Sequence, residues 1–480
     1  MPNLMWFRRD LRMRDNPALF EACESSYNGV IALFIITPET WKFHSISPLQ
    51  IVFLLENLKI LSKELKKKNI PLLIREASLF KDIPELMLKL VHEYNIESLF
   101  YNRQYEWDER QRDAAVTKTL QDICKIYTFD DQVIIPPEKI LNQQQEPFKV
   151  FTPFKRKWLS LAENYLTQPL PMPASQFKLP FKSDAISTLL NELTITTKNI
   201  PFPPAGESAA IQKLTLFSAK NILHYQTTRD FPQMDATSHL SPYLALGILS
   251  PRQCISRVMA EQPLPFFADL FNKSGPAVWI SELIWREFYK MIMFHFPQVC
   301  KYKAFKALTE KLPWRYDKKV FAKWCEGSTG FPLVDAAMRQ LNQTGWMHNR
   351  LRMVTAMFLS KILFIDWRWG ERYFSEHLID IDFSANNGGW QWSASTGTDA
   401  VPYFRIFNPI TQSEKYDSKG DFIRQFCPEL SHLDSKVIHD PFAHGIKLTA
   451  LHYPEKIVDY KKMRQCTLDA FKYLSSPNSL

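Results

Sequence analysis

Proline is spread so unevenly along this chain that it divides the sequence into two stretches of different periodicity. Eleven of the 32 prolines fall between Pro136 and Pro204, together with the run Gln143-Gln144-Gln145. Proline lacks a backbone donor and clashes with the preceding turn, so residues 133–205 read as an interdomain connection without long helices or sheet ladders. Within it, KVFTPFKRKWL (149–159) has enough apolar and aromatic content to pack down. Ahead of it, residues 1–132 alternate short apolar runs with amphipathic segments, the pattern of a doubly wound parallel α/β sheet domain. The candidate strands are Leu4–Phe7, Val30–Ile36, Pro71–Ile74, Ser98–Tyr101 and Ile126–Phe129. Ser47-Pro48 is an N-cap followed by proline at the first helical position, and Ile51, Leu54, Leu55, Leu58 and Leu65 form one stripe behind it. Beyond the proline-rich stretch, residues 206–480 read as an all-α domain, with helical spacing over Ala277–His295, Val334–Gln343 and His348–Ile365.

A chain of 480 residues exceeds the reach of one hydrophobic core, which agrees with at least two domains. The 59 basic against 50 acidic residues give a net charge of +9, suited to a polyanionic partner but not sufficient to identify one. Seven scattered cysteines without a C-x-x-C pair argue against a disulfide framework and a structural zinc site. With 13 glycines and no G-x-G-x-x-G or Walker loop, a standard dinucleotide or P-loop site is excluded as a leading reading. No apolar run spans a bilayer and Met1 to Asp10 lacks a signal-peptide core, so a cytosolic protein is expected.

The chemistry concentrates between Gly330 and Pro409. One candidate helix there carries Asn349, Arg350, Arg352 and Met353, a turn is expected at Asn386-Asn387-Gly388-Gly389, and tryptophans stand at 367, 390 and 392. So many amides, guanidiniums and indoles together suggest a site for a large planar cofactor. Upstream, Glu282, Trp285 and Arg286 are spaced i, i+3, i+4 and share a helix face. By spacing alone this is equally an exposed salt bridge beside a buried tryptophan. Met353 would ordinarily be core, and so would each of Trp314, Trp367 and Trp390.

The motifs GWMHNRLRM, FSANNGGWQWSASTGTDA and YFRIFNP, with TSHLSPYLALGILSPRQ (237–253), WISELIWREFYK (279–290) and the opening WFRRDLRMRDNPAL (6–19), resemble the photolyase/cryptochrome family. The resemblance runs to about residue 465 and is strongest to bacterial class I photolyases that repair cyclobutane pyrimidine dimers. It implies a C-terminal FAD- and DNA-binding domain. Glu282, Asn349, Met353, Trp285 and Trp392 would line the lesion pocket. Trp390, Trp367 and Trp314 would form an electron relay, with Trp390 nearest the flavin and Trp314 at the surface. Tyr225, Thr237, Ser238, Leu240, Ser241, Arg286, Asn349, Arg352, Asp380, Asp382 and Asn386 would surround FAD. His239 departs from the arginine of close relatives. The resemblance also implies that Arg229, Arg350 and Arg405 grip phosphates flanking the lesion, with Glu282, Trp285, Arg286, Asn349 and Trp392 also on the DNA. His44, Asp108, Glu109, Cys300 and Lys301 would hold a 5,10-methenyltetrahydrofolate antenna, Asp108 replacing the usual asparagine.

The implied activity is light-driven repair of UV-damaged DNA, single- or double-stranded, by a monomer. A cryptochrome-type photoreceptor shares the flavin and the tryptophans, but Asn386 stands where plant cryptochromes usually carry aspartate. A (6-4) photolyase would usually show two adjacent histidines where this chain has His348-Asn349. A flavin-binding DNA protein without photochemistry is the blandest alternative.

Overall fold

The computed structural model describes residues 1–186, 200–261, 274–446 and 451–474. The chain forms two compact units: the first comprises Met1–Gln226, Ser238–Pro297 and Asp380–Asp382, the second Thr227–Thr237, Gln298–Ile379 and Phe383–Leu480.

The first unit is built on a five-stranded parallel sheet: β1 (Asn3–Phe7), β2 (Val30–Ile36), β3 (Leu72–Glu76), β4 (Ser98–Asn102) and β5 (Lys125–Phe129), in the order β3-β2-β1-β4-β5. Every expected strand is present, with ends shifted by a residue or two. In register, Leu4 faces Ile31 on one side of β1 and Leu99 on the other. All residues of β1, β2 and β4 are buried, because a parallel sheet is covered on both faces by its crossover helices. The strand order reverses between β1 and β4, and open α/β sheets hold ligands beyond the carboxyl ends of strands at such a point. A cavity of about 80 Å³ lies there, lined among others by Arg8, Thr37, His44, Gln104, Glu109 and Arg112.

Four helices of this unit carry or support candidate residues. The helix α1 (Pro48–Lys67) begins as its sequence suggests, the Ser47 hydroxyl accepting from the Leu49 N–H at 3.2 Å. Trp107–Leu120 forms α2. The apolar island in the proline-rich stretch is α3 (Phe151–Tyr165), which buries Phe151, Phe154, Trp158, Leu159 and Ala162. Residues 187–199 of that stretch lie outside the described residues. The long helix α4 (Gly275–His295) packs Phe288 against Phe154 and carries the i, i+3, i+4 set.

The second unit is helical. Its elements that matter here are α5 (Lys318–Glu326), α6 (Pro332–Thr344), α7 (Asn349–Met357), α8 (Trp367–His377) and α9 (Phe383–Ser393). Two expectations need correction. The apolar spacing over His348–Ile365 is not one α-helix: α7 ends at Met357, a π-helix follows over Phe358–Ile362, and Phe364 has a positive φ of 55°. Lys361 explains the irregularity, since its carbonyl accepts from the Thr467 hydroxyl at 2.6 Å and its ammonium group donates to the Arg405 carbonyl at 3.3 Å. Asn386-Asn387-Gly388-Gly389 is likewise no turn but the middle of α9. The amides bond between and along helices instead of to their own backbone. Asn387 Nδ2 donates to Glu371 Oε1 at 2.8 Å, and Asn387 Oδ1 accepts from Gln391 Nε2 at 3.0 Å. A Cβ at Gly389 would meet nothing within 4 Å, so close approach does not explain that glycine.

Candidate functional site

In the first unit, Glu282, Trp285 and Arg286 project from α4 as their spacing requires, all half-buried. The Trp285 ring stacks face to face on Phe151 of α3, with centroids 3.7 Å apart and planes at 8°. Phe288 and Tyr289 close round its edges at 5.6 Å each. Lys155, one turn beyond Phe151, has its amine pushed below the ordinary lysine range by burial, partly offset by the charge of Glu282. Arg286 donates to the backbone carbonyls of Gln132 and Leu244 and approaches Asp382 at 3.8 Å. Asp382 also pairs with the buried Lys290 at 3.2 Å, and Lys290 pairs in turn with Glu106 at 3.3 Å. Burial works against the charge of Glu106, but Lys290 overrides it and holds the carboxyl below its usual range. The result is a buried chain of alternating sign, Glu106–Lys290–Asp382–Arg286. Isolated charges at such depth would neutralise, whereas paired ones persist.

Next to this chain Glu287 accepts from the Ile134 N–H at 2.6 Å and the Trp158 indole at 2.7 Å, and burial pushes its carboxyl up to about 7. Asp380 is buried with Asp382. Tyr225 rests its ring near Phe217 at 5.8 Å, Leu240 is buried, and Ser241 opens a short helix to Ala245. Ser238 is half-buried, and His239 adopts a left-handed backbone with φ of 49°, uncommon outside glycine, asparagine, aspartate and histidine.

Of the antenna candidates, His44, Asp108 and Glu109 come together in this unit. His44 Nε2 and Asp108 Oδ2 are 3.0 Å apart, and His44 and Glu109 line the cavity at the strand ends. Burial disfavours the imidazolium, but Asp108 and Glu109 outweigh it and raise His44 above its ordinary range. Cys300 and Lys301 belong to the second unit.

In the second unit, Asn349 is exposed at the first turn of α7, and Met353 lies one turn on, half-buried. His348 caps that helix through its ring nitrogen, which accepts from the Arg350 N–H at 3.2 Å. Arg350 pairs with Asp230 at 2.8 Å and lies 4.6 Å over the Tyr416 ring, while Arg229 approaches the same carboxylate at 4.0 Å. Arg352 donates to the Met347 carbonyl at 2.8 Å, and Arg405 is exposed. Asn386 Nδ2 donates to the Glu371 carbonyl at 3.0 Å and to Ser375 Oγ at 3.2 Å. Those two bonds fix which way the carboxamide faces and leave Oδ1 as its acceptor. Glu371 is buried and pushed up to about 7 by desolvation.

Trp367 and Trp390 are buried, and a Cβ added at Gly370 would come within 2.1 Å of Trp390, so only glycine admits that ring. Trp392 is half-buried. Trp314 is not at the surface as expected: it is 7% exposed, its ring 5.0 Å from Phe364. Among the described residues the indole N–H groups of Trp367 and Trp390 and the buried hydroxyl of Thr237 have no hydrogen-bond partner. Buried polar groups are rarely left so, and a bound ligand is one standard explanation.

Sequence reasoning missed Phe151, Lys155, Glu106, Lys290 and Glu371. Lys290 was within reach, because it continues the Glu282–Arg286 stripe at the next i+4 position. The others are brought in from distant segments, and no local spacing marks them. No group of histidine, cysteine, aspartate or glutamate among the described residues could hold a metal ion. All seven cysteines are free.

Comparison with known proteins identifies the family. Residues 3–174 match the DNA photolyase family and residues 279–473 match the FAD binding domain of DNA photolyase. The chain is 47% identical to the deoxyribodipyrimidine photo-lyase of Salmonella typhimurium, with 98% of each chain covered. It superposes on a class III photolyase from Agrobacterium tumefaciens with a TM-score of 0.83 and 33% identity, covering 99% of this chain and 98% of that one. A cryptochrome from Synechocystis sp. gives the same TM-score of 0.83 at 27% identity, over 98% of this chain and 99% of the other. The parallel sheet, the helical unit with its unpartnered indoles and the full-length identity lead to one conclusion: this chain belongs to the DNA photolyase family.

Proposed function

We propose that the protein is a deoxyribodipyrimidine photo-lyase, which uses FAD and light to split cyclobutane pyrimidine dimers in DNA. Full-length identity of 47% to a photolyase carries this reading, and Asn386 and the Met353/Glu282/Trp285 set favour it over the photoreceptor. The residues fit the cofactor: the Thr237 hydroxyl has no partner among the described residues, and the Asn386 carboxamide is pinned through its Nδ2, with its oxygen as the acceptor for a ring N–H. Tyr225, Thr237, Ser238, Leu240, Ser241, Arg286, Asn349, Arg352, Asp380, Asp382 and Asn386 are the residues we assign to it.

Reduced FAD held by these residues would supply light-driven one-electron chemistry with no net redox change. The protein's part is positioning. Trp285, held flat by Phe151, and Trp392 offer rings for an extruded dimer, with Met353 alongside. Glu282 and Asn349 hydrogen-bond the pyrimidine edges and stabilise charge added to the dimer. The Asp382–Lys290–Glu106 chain keeps Arg286 and Asp382 oriented. Arg229, Arg350 and Arg405 hold the flanking phosphates, a contact that weakens steeply with salt.

We further assign 5,10-methenyltetrahydrofolate as antenna, held by His44, Asp108, Glu109, Cys300 and Lys301. The Asp108 carboxylate is engaged by His44, so it offers the pterin a weaker contact than the family's asparagine. The active species is taken to be a cytosolic monomer, to be checked by sedimentation.

The deciding experiment mixes reduced holoprotein with an oligonucleotide carrying one thymine dimer. Recovery of thymine absorbance under blue light and not in darkness is the expected outcome. No recovery with reduced FAD bound would put the photoreceptor first. Glu282→Ala lowers repair yield more than binding, and an equal yield removes that role.

A further inference from the structure

Trp390, Trp367 and Trp314 account for three of the 13 tryptophans, but the tryptophan in ring contact with Trp390 is another one. Trp324 of α5 is fully buried, and its ring meets Trp390 edge to face at 6.0 Å between centroids. Electron tunnelling falls off exponentially with the gap between rings, so contact favours exchange between these two. The surroundings favour the same direction. The Trp324 indole N–H donates to the Thr355 carbonyl at 3.2 Å, an acceptor that stabilises positive charge on the ring. Trp390 and Trp367 have no such acceptor among the described residues. Trp367 also carries the Arg368 guanidinium 4.7 Å from its ring centre, although Glu310 and Asp366 pair with that arginine at 2.6 and 3.1 Å. A cation over a ring opposes a second positive charge there.

From Trp324 the aromatic contacts continue outward. Phe321 stacks on Trp324 at 5.8 Å and meets Trp369 at 5.1 Å. Trp369 in turn lies 5.8 Å from Tyr316, a ring that is 64% exposed. The Tyr316 hydroxyl donates to Asp366 Oδ2 at 3.5 Å, so a carboxylate stands ready for its proton. Of the other neighbours of Trp324, Phe374 carries no proton to shed, and Tyr373 donates to Asn342 Oδ1 at 2.7 Å and the Cys325 carbonyl at 3.1 Å. Neither is a base, and a tyrosine that cannot shed its proton is a poor electron donor, so that side ends there.

We propose that Trp324 feeds electrons to Trp390 along a second route, Trp390–Trp324–Phe321–Trp369–Tyr316, which delivers them from the surface at Tyr316. This rests on the reading of Trp390 as the ring that serves FAD. Trp390 gives up one electron to the light-excited oxidised cofactor and is refilled from Trp324. Trp369 refills Trp324 across Phe321, which is not itself oxidised. Tyr316 refills Trp369 and passes its phenolic proton to Asp366, from which it leaves to solvent. An external thiol then returns a hydrogen atom to Tyr316 and is oxidised to the thiyl radical.

The test uses FAD-loaded, oxidised full-length protein under laser flashes, reading long-lived protein radicals by transient absorption and by electron paramagnetic resonance with ring-deuterated tyrosine. Trp314→Phe closes the other route and is expected to keep a tyrosyl signal whose line shape responds to the deuteration. Adding Tyr316→Phe or Trp369→Phe to that variant removes it. Both positions are at least partly exposed, so the result does not depend on whether Trp324→Phe folds. A Trp314→Phe protein with no long-lived radical, or one whose radical survives the added Tyr316→Phe and Trp369→Phe, overturns the proposal and leaves the first relay standing. A wild-type protein giving no protein radical, with repair of dimers intact, removes the role of Trp390 and with it the second route.

Discussion

The residues around Asp382 and those around Trp390 solve burial in opposite ways. Around Asp382 buried charges pair in a chain: Lys290 takes both Asp382 and Glu106, and Arg286 adds two backbone carbonyls. Around Trp390 there are rings, a glycine that admits the indole, and N–H groups with no acceptor among the described residues. The first arrangement resists any change of charge, because each group is already neutralised by its neighbour. The second holds no fixed charge on the ring itself, so an electron can leave it without breaking an ion pair. Under the proposed function, the first would hold the cofactor in place and the second would let charge pass.

The contrast can be broken most severely at Lys290. Lys290→Met strands Glu106 as a buried carboxylate and leaves Asp382 only the 3.8 Å approach of Arg286, and unfolding in urea should show a loss of about 3–5 kcal/mol. A loss under about 1 kcal/mol, the worth of an exposed pair, would mean the chain is not acting as a unit. The next test separates the two regions by pH, since each contains one carboxyl raised to about 7, Glu287 in the first and Glu371 in the second. A carboxyl that binds its proton more tightly when folded stabilises at low pH and loses that contribution as pH rises from the free value towards 7. The loss is about 3 kcal/mol for each group. Glu287→Gln or Glu371→Gln should each flatten the fall in stability over that window, and an unchanged slope removes the corresponding group.

On the aromatic side, Gly370→Ala pushes a methyl into Trp390 and should cost about 1–3 kcal/mol by overpacking, with a changed tryptophan emission. Wild-type stability and emission would show that the ring is free to move. The smallest effect concerns DNA. Asp230 pairs with Arg350 and Arg229, the arginines proposed to hold phosphate, so Asp230→Asn should tighten binding of dimer-containing duplex by about 0.2–1 kcal/mol at low salt. Weaker binding in the variant would mean Asp230 orients the arginines instead of masking them.

Much of the first unit was legible because short apolar runs mark buried strands directly, and all five strands appear where Leu4–Phe7 and its counterparts predict them. The same spacing logic gave the shared face of Glu282, Trp285 and Arg286. Local reading failed where distant partners decide. Asn386-Asn387-Gly388-Gly389 has the composition of a turn, yet Glu371 and Gln391 supply the bonds that keep it helical. The stripe from His348 to Ile365 looks continuous, but Lys361 and Thr467 open it into a π-helix. Glu106 is paired across more than 180 residues, as its bond to Lys290 shows, and no window of sequence contains both. The roles within the site rested on whole motifs such as GWMHNRLRM, which carry information that spacing does not.

With Trp285 in its proposed role, the stack of Phe151 behind it would set how a lesion is recognised. A lone indole on a helix can swivel to follow whatever base is laid on it. Backed at 3.7 Å by a parallel ring and flanked by Phe288 and Tyr289, this one behaves as an anvil with a single working face. Undamaged pyrimidines, stacked on their neighbours in the duplex, gain little by leaving for a plate that will not bend to meet them. Two bases already welded at an angle have lost that stacking, and they bring the rigid shape that the plate lacks.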